Sequence, residues 1–508
     1  MKFKVKNFDI EVKEYKVVMN VLDVNEMGLV AGDRAKVKNK ESITAVVDTT
    51  DTMLPQGVVG IYDEVWKKLR IKKGEEVEIL PAAQPESIAL IKKKMDGNKL
   101  NKDNLHTIVQ DIVDGNLTDA ELTAFVTSTY IHGMDLDEIE WMTRAMVDTG
   151  ERIEFDKHPV VDKHSIGGVP GNKVSLLVVP IVAAAGLLIP KTSSRAITGA
   201  AGTADLMEVL APVSLSASEI KDITEKVGGV IAWGGATNIA PADDEIIEVE
   251  YPLSIDPYCQ VLASVMAKKC AVGAEAVVID IPTGSSTKVH TVEDGRKMAR
   301  DFIELGERMG ISVECVMTYG GGPIGRTIGP ALEVQEAFRV LEDMKGASSL
   351  IEKSTSLAGI LLEMGGVAQG AGKAAAEEIL RSGKALRKMK EIIEAQGGNP
   401  EISSKTIKIG DKKTDWLSPR GGYATEFDNK RLIEIARAAG APADKGAGIV
   451  IHKKRGEAVK KGETLITIYA EKAWKLENAI KEAQRKEPVI IEGMVLERVP
   501  DVTETRIR

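Results

Sequence analysis

The 508-residue chain reads as a multi-domain α/β protein: a small β-rich segment, a helical lobe, and a larger domain with a mainly parallel central sheet. Three observations predict this. The length exceeds what one hydrophobic core supports, so two to four domains are expected. The hydrophobic periodicity changes from strand-like to helical near residue 85. Beyond residue 160, strand-like and helix-like stretches alternate, which is the rhythm of βαβ units.

Residues 1–84 form the β-rich segment. Residues 3–12, 15–19 and 42–47 are strand-like, and residues 72–79 resemble a small-barrel hairpin. Gly28, Gly32 and Gly57 punctuate them, and Pro81 and Pro85 mark a linker. Residues 85–160 form the helical lobe, completed by part of 235–270. Within it, 104–113, 118–132 and 135–149 carry apolar residues at three-to-four spacing. Thr118 with Glu121 is a capping box, and Asp135 can cap the next helix.

Residues 161–422 form the central α/β domain. Helices are expected over 174–189, 206–210, 257–271 and 292–309, and strands over 230–233, 276–281 and 314–318. Residues 423–508 form a C-terminal α+β part with a helix over 430–439. Its Lys460, Lys461, Gly462, Glu463 run echoes Lys72, Lys73, Gly74, Glu75, a shared small β-turn solution rather than a repeat.

Bulk properties narrow the function. The composition is that of an ordinary globular protein, 43% hydrophobic and 28% charged. A formal net charge of −9 argues against nonspecific binding to nucleic acid or an anionic membrane, so an anionic substrate needs a locally positive cleft. Cys259, Cys270 and Cys315 have no C-x-x-C spacing and the histidines no metal-ligand pattern, so neither a metal site nor a disulfide framework is expected. The N-terminus lacks the apolar core of a signal peptide, and the most apolar stretch, 174–189, is short for a membrane span and carries Pro180 and Gly186. A cytoplasmic location follows as the expectation.

Two stretches, 163–175 and 192–205, are dense in glycine, hydroxyl and cationic residues, and an apolar helix-length run separates them. Glycine lets backbone N–H groups approach an anion closely, and Ser, Thr, Lys and Arg supply further donors. Together they read as one phosphate-binding apparatus; the plainer alternative is a pair of ordinary turns.

Lys163, His164 and Ser165 followed by Gly167 and Gly168, then Ser193, Ser194 and Arg195 running to Thr198, Gly199, Gly202, Thr203 and Asp205, resemble the signature of the thymidine and pyrimidine nucleoside phosphorylases. Residues 233–243, 263–269 and 320–325 extend the resemblance, which covers roughly 85–490. The N-terminal extension is foreign to the bacterial members and resembles the archaeal, AMP-cleaving branch. The resemblance implies a helical domain facing an α/β domain across a cleft. It also implies reversible phosphorolysis of AMP to adenine and ribose 1,5-bisphosphate, with CMP and UMP as further substrates, and an assembly of at least two subunits. AMP and inorganic phosphate would be the partners, with phosphate a substrate rather than a cofactor. A pyrimidine nucleoside phosphorylase with an appended domain is the alternative.

Residue by residue, the resemblance assigns inorganic phosphate to Lys163, Ser165, Ser175, Ser193 and Thr203. One residue more than in the shorter bacterial loop separates Gly168 from Ser175, whose hydroxyl could instead cap a helix. Gly168, Ser194, Arg195, Ala196, Ile197, Thr198, Gly199, Thr203, Ser264 and Lys288 would hold AMP. Arg195 offers a planar fork to a phosphate, or an ion pair to Asp205 or Glu208. Lys288 adds a cation from a loop after a strand, though a lone lysine faces solvent by default. His164 is equally readable as a substrate contact or a structural residue. Residues 319–326 read as a hinge or domain-packing loop.

The base side departs from the pyrimidine pattern Tyr-x-Leu-Arg. Here Tyr251, Pro252 and Leu253 lead into Ser254, with Asp256 and Pro257 following and Ser264 and Lys268 retained. A purine leaves more readily once N7 is protonated, which makes Asp256 the candidate proton donor. With an ordinary pKa of about 3.9 it must be raised by burial or by nearby anions to serve. Capping the helix that opens at Pro257 is its alternative role.

Overall fold

The computed structural model describes residues 1–196 and 199–495, so Ile197 and Thr198 lie outside the described residues. The chain forms two compact units, residues 1–149 with 241–263, and residues 150–240 with 264 onward.

The first unit opens with a closed six-stranded barrel in which Lys2–Asn7 pairs in parallel with Val58–Ile61 and Lys16–Asn20 in parallel with Ser42–Thr50. Alternation fixes the register: Ala35, Val37, Val77 and Ile79 point inward while Lys36 and Lys38 stay exposed. The first strand ends at Asn7, short of the expected residue 12. The helices follow the sequence signals closely. Thr118 and Glu121 form the expected capping box of Asp119–His132, and Asp135 caps Leu136–Asp148 with Glu138 reciprocating. Glu138 is buried and also accepts Lys94 Nζ at 2.8 Å, so its carboxylate ties three segments. Pro241–Leu253 packs beside these helices.

The second unit is built on a parallel sheet ordered Ser312–Tyr319, Ala276–Thr283, Val161–Ser165. A parallel pair, Ile189–Ser193 with Gly229–Trp233, continues from it through the Val160–Leu188 bridge. Helix Ser175–Ala184 is apolar on every side and almost wholly buried, as such a helix must be. It ends sooner than expected: Gly186 takes a φ of +93°, which favours glycine, and the chain turns into the Ile189–Ser193 strand. Helices Pro330–Asp343, Ser348–Met364, Gly372–Arg381 and Lys384–Ala395 cover this core with a length of chain to which the sequence pattern assigns no elements.

The C-terminal portion holds two antiparallel sheets. One of them draws in Thr327–Ile328 and Lys412–Leu417 from upstream. The two Lys-Lys-Gly-Glu runs do form the same turn. In each, the glutamate side chain accepts the first lysine's N–H, at 3.0 Å for Glu75 and 2.8 Å for Glu463, and the glycine has positive φ. Among the described residues no helix is long and apolar enough to cross a membrane.

Candidate active site

The two glycine-hydroxyl stretches come together at the C-terminal ends of the Val161–Ser165 and Ile189–Ser193 strands. They line one cavity of about 460 Å³, wholly within the second unit. Lys163, Ser165, Gly168, Ser175, Ser193, Ser194, Arg195, Ala196, Gly199, Thr203, Lys268 and Lys288 all border it. The strand ends supply the first residues of each loop, where ligands of open parallel sheets usually bind.

Asp280 organises the floor. It lies opposite Ser165 in the strand register and is fully buried. Its Oδ2 accepts Ser165 Oγ at 2.8 Å and Lys353 Nζ at 3.0 Å, and stands 4.0 Å from Lys163 Nζ; its Oδ1 accepts Thr318 Oγ1 at 2.6 Å. Asn172 Nδ2 donates to Ser165 Oγ at 3.1 Å, which fixes that hydroxyl from the second side. Burial pushes the Asp280 carboxyl up, but Lys353 and Lys163 outweigh it and hold the group below the usual carboxylate range. Burial brings Lys163 down to about 8 despite the pull of Asp280.

Lysines crowd this floor. Lys191 is buried, donates to the Thr192 carbonyl, and is held well below the usual lysine range by burial and by Lys269. His164 is kept neutral by burial and by Lys269, Lys191 and Lys268. A chain of net charge −9 thus concentrates cations where an anion would sit.

Gly168 shows why the loop needs glycine. Its φ is +81°, and a Cβ there would stand 2.9 Å from the backbone nitrogen of Lys288. That close approach brings exposed Lys288 to the cavity from the loop after the Ala276–Thr283 strand. On the facing loop, Asp205 Oδ2 accepts the N–H groups of Ala196 at 2.7 Å and Gly202 at 2.9 Å, clamping that loop's two ends.

Several expectations are revised. The ion-pair alternative for Arg195 is realised: its guanidinium forks onto Glu208 at 2.8 and 2.5 Å, reaches Asp205 at 3.4 Å, and lies over the Trp233 ring at 4.8 Å. Arg195 lines the cavity while paired. The pairing draws Glu208 down to about 2. Ser175 is the first helical residue, and the N-cap of that helix, Val174, has no side-chain cap, so its buried hydroxyl is not the cap. Ser264 does not line the cavity, although Lys268, one turn on, does. Asp256 belongs to the first unit, just before helix Tyr258–Ala271, and is exposed rather than buried. Ser254, where the pyrimidine pattern has Arg, ends helix Pro241–Leu253 with φ +53°.

Asp280, Lys353, Lys191 and Asn172 are site residues that sequence reasoning misses. Asp280 carries a readable signal, a lone carboxylate inside the apolar run Val277, Val278, Ile279, Ile281. Lys191 carries a weaker one, a lysine ending the apolar segment 187–190.

Comparison with known proteins agrees segment by segment. Residues 88–150 match the helical bundle domain of a glycosyl transferase family, 157–386 its a/b domain, and 423–489 the pyrimidine nucleoside phosphorylase C-terminal domain. Fold and cavity therefore define an enzyme of the glycosyl-transfer class. A relative from Methanocella arvoryzae named AMP phosphorylase is 60% identical, covering 98% of this chain and 99% of the relative. One from Methanothrix thermoacetophila with the same name is 62% identical and covers 98% of each. The chain belongs to the pyrimidine nucleoside phosphorylase family, in the branch whose members are named AMP phosphorylase. The anthranilate phosphoribosyltransferase of Thermus thermophilus superposes with a TM-score of 0.51 at 20% identity, covering 61% of this chain and 99% of that one, a likeness of fold alone.

Proposed function

We propose that this enzyme cleaves AMP with inorganic phosphate, giving adenine and ribose 1,5-bisphosphate. The observation that carries the reading is the single cavity lined by both glycine-hydroxyl loops and floored by Lys163 and Ser165 on Asp280. The 60% identical relatives named AMP phosphorylase select the substrate, and CMP and UMP are further candidates.

In this mechanism a phosphate oxygen attacks C1′ of the ribose as the bond from C1′ to the base nitrogen breaks. Phosphate is itself the nucleophile, so the protein contributes position and field. Lys163, Ser165, Ser175, Ser193 and Thr203 hold the attacking phosphate. Gly168, residues 194–199 and Lys288 hold AMP, with Ser264 and Lys268 toward the base. Arg195 grips the 5′-phosphate with the donors that its ion pairs leave over. Asp256 delivers a proton to N7 of the leaving adenine. No cofactor enters this scheme, and the assembly is a homodimer or larger.

Incubation with AMP, CMP, UMP, thymidine and adenosine, with and without phosphate, tests the reading by the base released. Phosphate-dependent adenine release from AMP is expected. Its absence, with release from thymidine instead, would make this a pyrimidine nucleoside phosphorylase.

A further inference from the structure

A second cavity, of about 900 Å³, opens on the other side of Asp280 and is also built wholly from the second unit. Lys353 and Thr318, which hold Asp280 from behind, line this cavity and not the first. Its cations are Arg326, Lys353, Lys454 and Arg455, against Glu352 and Glu457. Glu457 is already paired to Arg326 at 3.2 Å, and Glu352 to Lys373 at 3.7 Å.

Among the described residues, two of these cations make no direct ion pair, although Glu336 and Glu457 act on Lys454 and Glu426 on Arg455 from farther off. Lys454 Nζ, largely buried, donates to the carbonyls of Pro323 and Gly325, and burial brings it down to about 8. Arg455 is exposed and meets the Tyr319 hydroxyl at 3.1 Å. Ser348 and Ser349 add hydroxyls and the first N–H groups of the 17-residue helix Ser348–Met364, whose N-cap Ala347 has no side-chain oxygen to bind them. Apart from Ser356, the remaining side chains of the lining are mostly apolar. Met317 and Tyr319, 40% and 62% exposed, line the cavity together with Leu357 and Phe427. The volume lies in the range of small-molecule sites.

We propose that this cavity binds a nucleoside phosphate at a site separate from the phosphorolysis cavity. Lys454, Arg455 and the start of the Ser348–Met364 helix take the phosphate, and Tyr319 with Met317 takes the ring. The site is coupled to the first cavity through one carboxylate. A ligand phosphate near Lys353 draws its Nζ from Asp280, whose charge then falls more fully on Lys163. Inorganic phosphate at Lys163 is weakened as a result, and by reciprocity phosphate weakens the second ligand.

Calorimetric titration of the full-length protein with ADP tests this without any turnover, so it fails or succeeds independently of the AMP reading. Lys454 does not line the first cavity, so whatever binding Lys454→Met removes belongs to the second. That variant should weaken this ADP binding by about tenfold or more, and exposed Arg455→Ala, which does not threaten folding, by about threefold, as loss of a charge-assisted hydrogen bond implies. Wild-type affinity for inorganic phosphate should fall with ADP present and stay constant in Lys454→Met. An ADP isotherm unchanged by both variants would overturn the site. Pyrophosphate binding as tightly as ADP would overturn recognition of the ring, and a phosphate affinity indifferent to ADP would overturn the coupling.

Discussion

Lys163 Nζ and Asp280 Oδ2 stand 4.0 Å apart with both side chains buried, so the lysine that borders the first cavity is balanced by a carboxylate that it does not touch directly. Lys353 at 3.0 Å and Thr318 at 2.6 Å are the carboxylate's closer partners, and Lys163 borders the cavity. This spacing has consequences for pH dependence and for substitution of the carboxylate.

Phosphate affinity should fall as pH rises through about 8, the value to which burial lowers Lys163. Only the protonated amine attracts phosphate, so affinity is retained below that pH and lost above it; an ordinary lysine would keep its charge to about 10.4. Folding runs the other way. Between about 8 and the ordinary lysine value the unfolded chain binds more protons at this residue, so its contribution to stability rises with pH. Phosphate KM across about pH 7 to 9.5, alongside melting temperature, checks both signs. A flat KM would mean that Lys163 does not carry phosphate.

Asp280→Asn should damage both structure and phosphate binding. It leaves Lys353 and Lys163 facing a neutral amide in a buried site, and uncompensated buried charge costs about 3–5 kcal/mol. The amide can still accept Ser165 Oγ through its oxygen, so the cost is electrostatic rather than geometric. A melting temperature several degrees lower and a phosphate KM raised about tenfold are expected, about 1.4 kcal/mol of binding. Unchanged phosphate KM in a folded variant would remove Asp280 from the role of positioning Lys163.

Much of this arrangement is legible in the chain. The two loops show themselves because glycine, hydroxyl and cation density is a local property, and the capping boxes of Thr118 and Asp135 because they span four residues. The Asp280, Lys353 and Thr318 cluster is not legible. Its members are 35 residues apart or more in sequence and meet only when the Ser312–Tyr319 strand and the Ser348–Met364 helix pack. The pairing of Arg195 with Glu208 shows a different limit. Sequence proximity makes both a substrate phosphate and a carboxylate reachable by the fork, and only the folded loop shows that it pairs with the carboxylate while still bordering the cavity. Residues 330–395 escape assignment even though their helices supply much of the core around Phe338, Leu361 and Ile392.

Gly168→Ala should impair AMP binding with little effect on the global fold. The added methyl needs room now held by the Lys288 backbone nitrogen at 2.9 Å, and the φ of +81° adds a backbone penalty of about 1 kcal/mol. Lys288 is exposed on the loop after the Ala276–Thr283 strand, while Thr287 is buried and bonded to the Gly284 and Val289 carbonyls, so the strain falls on Lys288 rather than on the core. An AMP KM raised about tenfold, with the phosphate KM changed less and the melting temperature nearly kept, is expected. Equal losses for both substrates would place Gly168 in the frame of the whole cavity instead.

Asp256→Asn tests the base side, and its value lies in separating turnover from binding. The residue precedes helix Tyr258–Ala271 and does not line the first cavity, so the substitution removes none of the proposed phosphate donors. Asparagine keeps the shape and any hydrogen bond that carboxylate oxygen accepts, but it cannot give a proton to N7. General-acid steps supply about 10²- to 10⁴-fold, so kcat for AMP should fall by about a hundredfold or more with the phosphate KM nearly unchanged. A substrate whose base leaves without N7 protonation should lose far less, which distinguishes lost proton donation from a disturbed helix start. If kcat is unchanged, the proton comes from elsewhere. If AMP turnover and melting temperature fall together and Asp256→Glu restores neither, Asp256 serves the helix and not the leaving base.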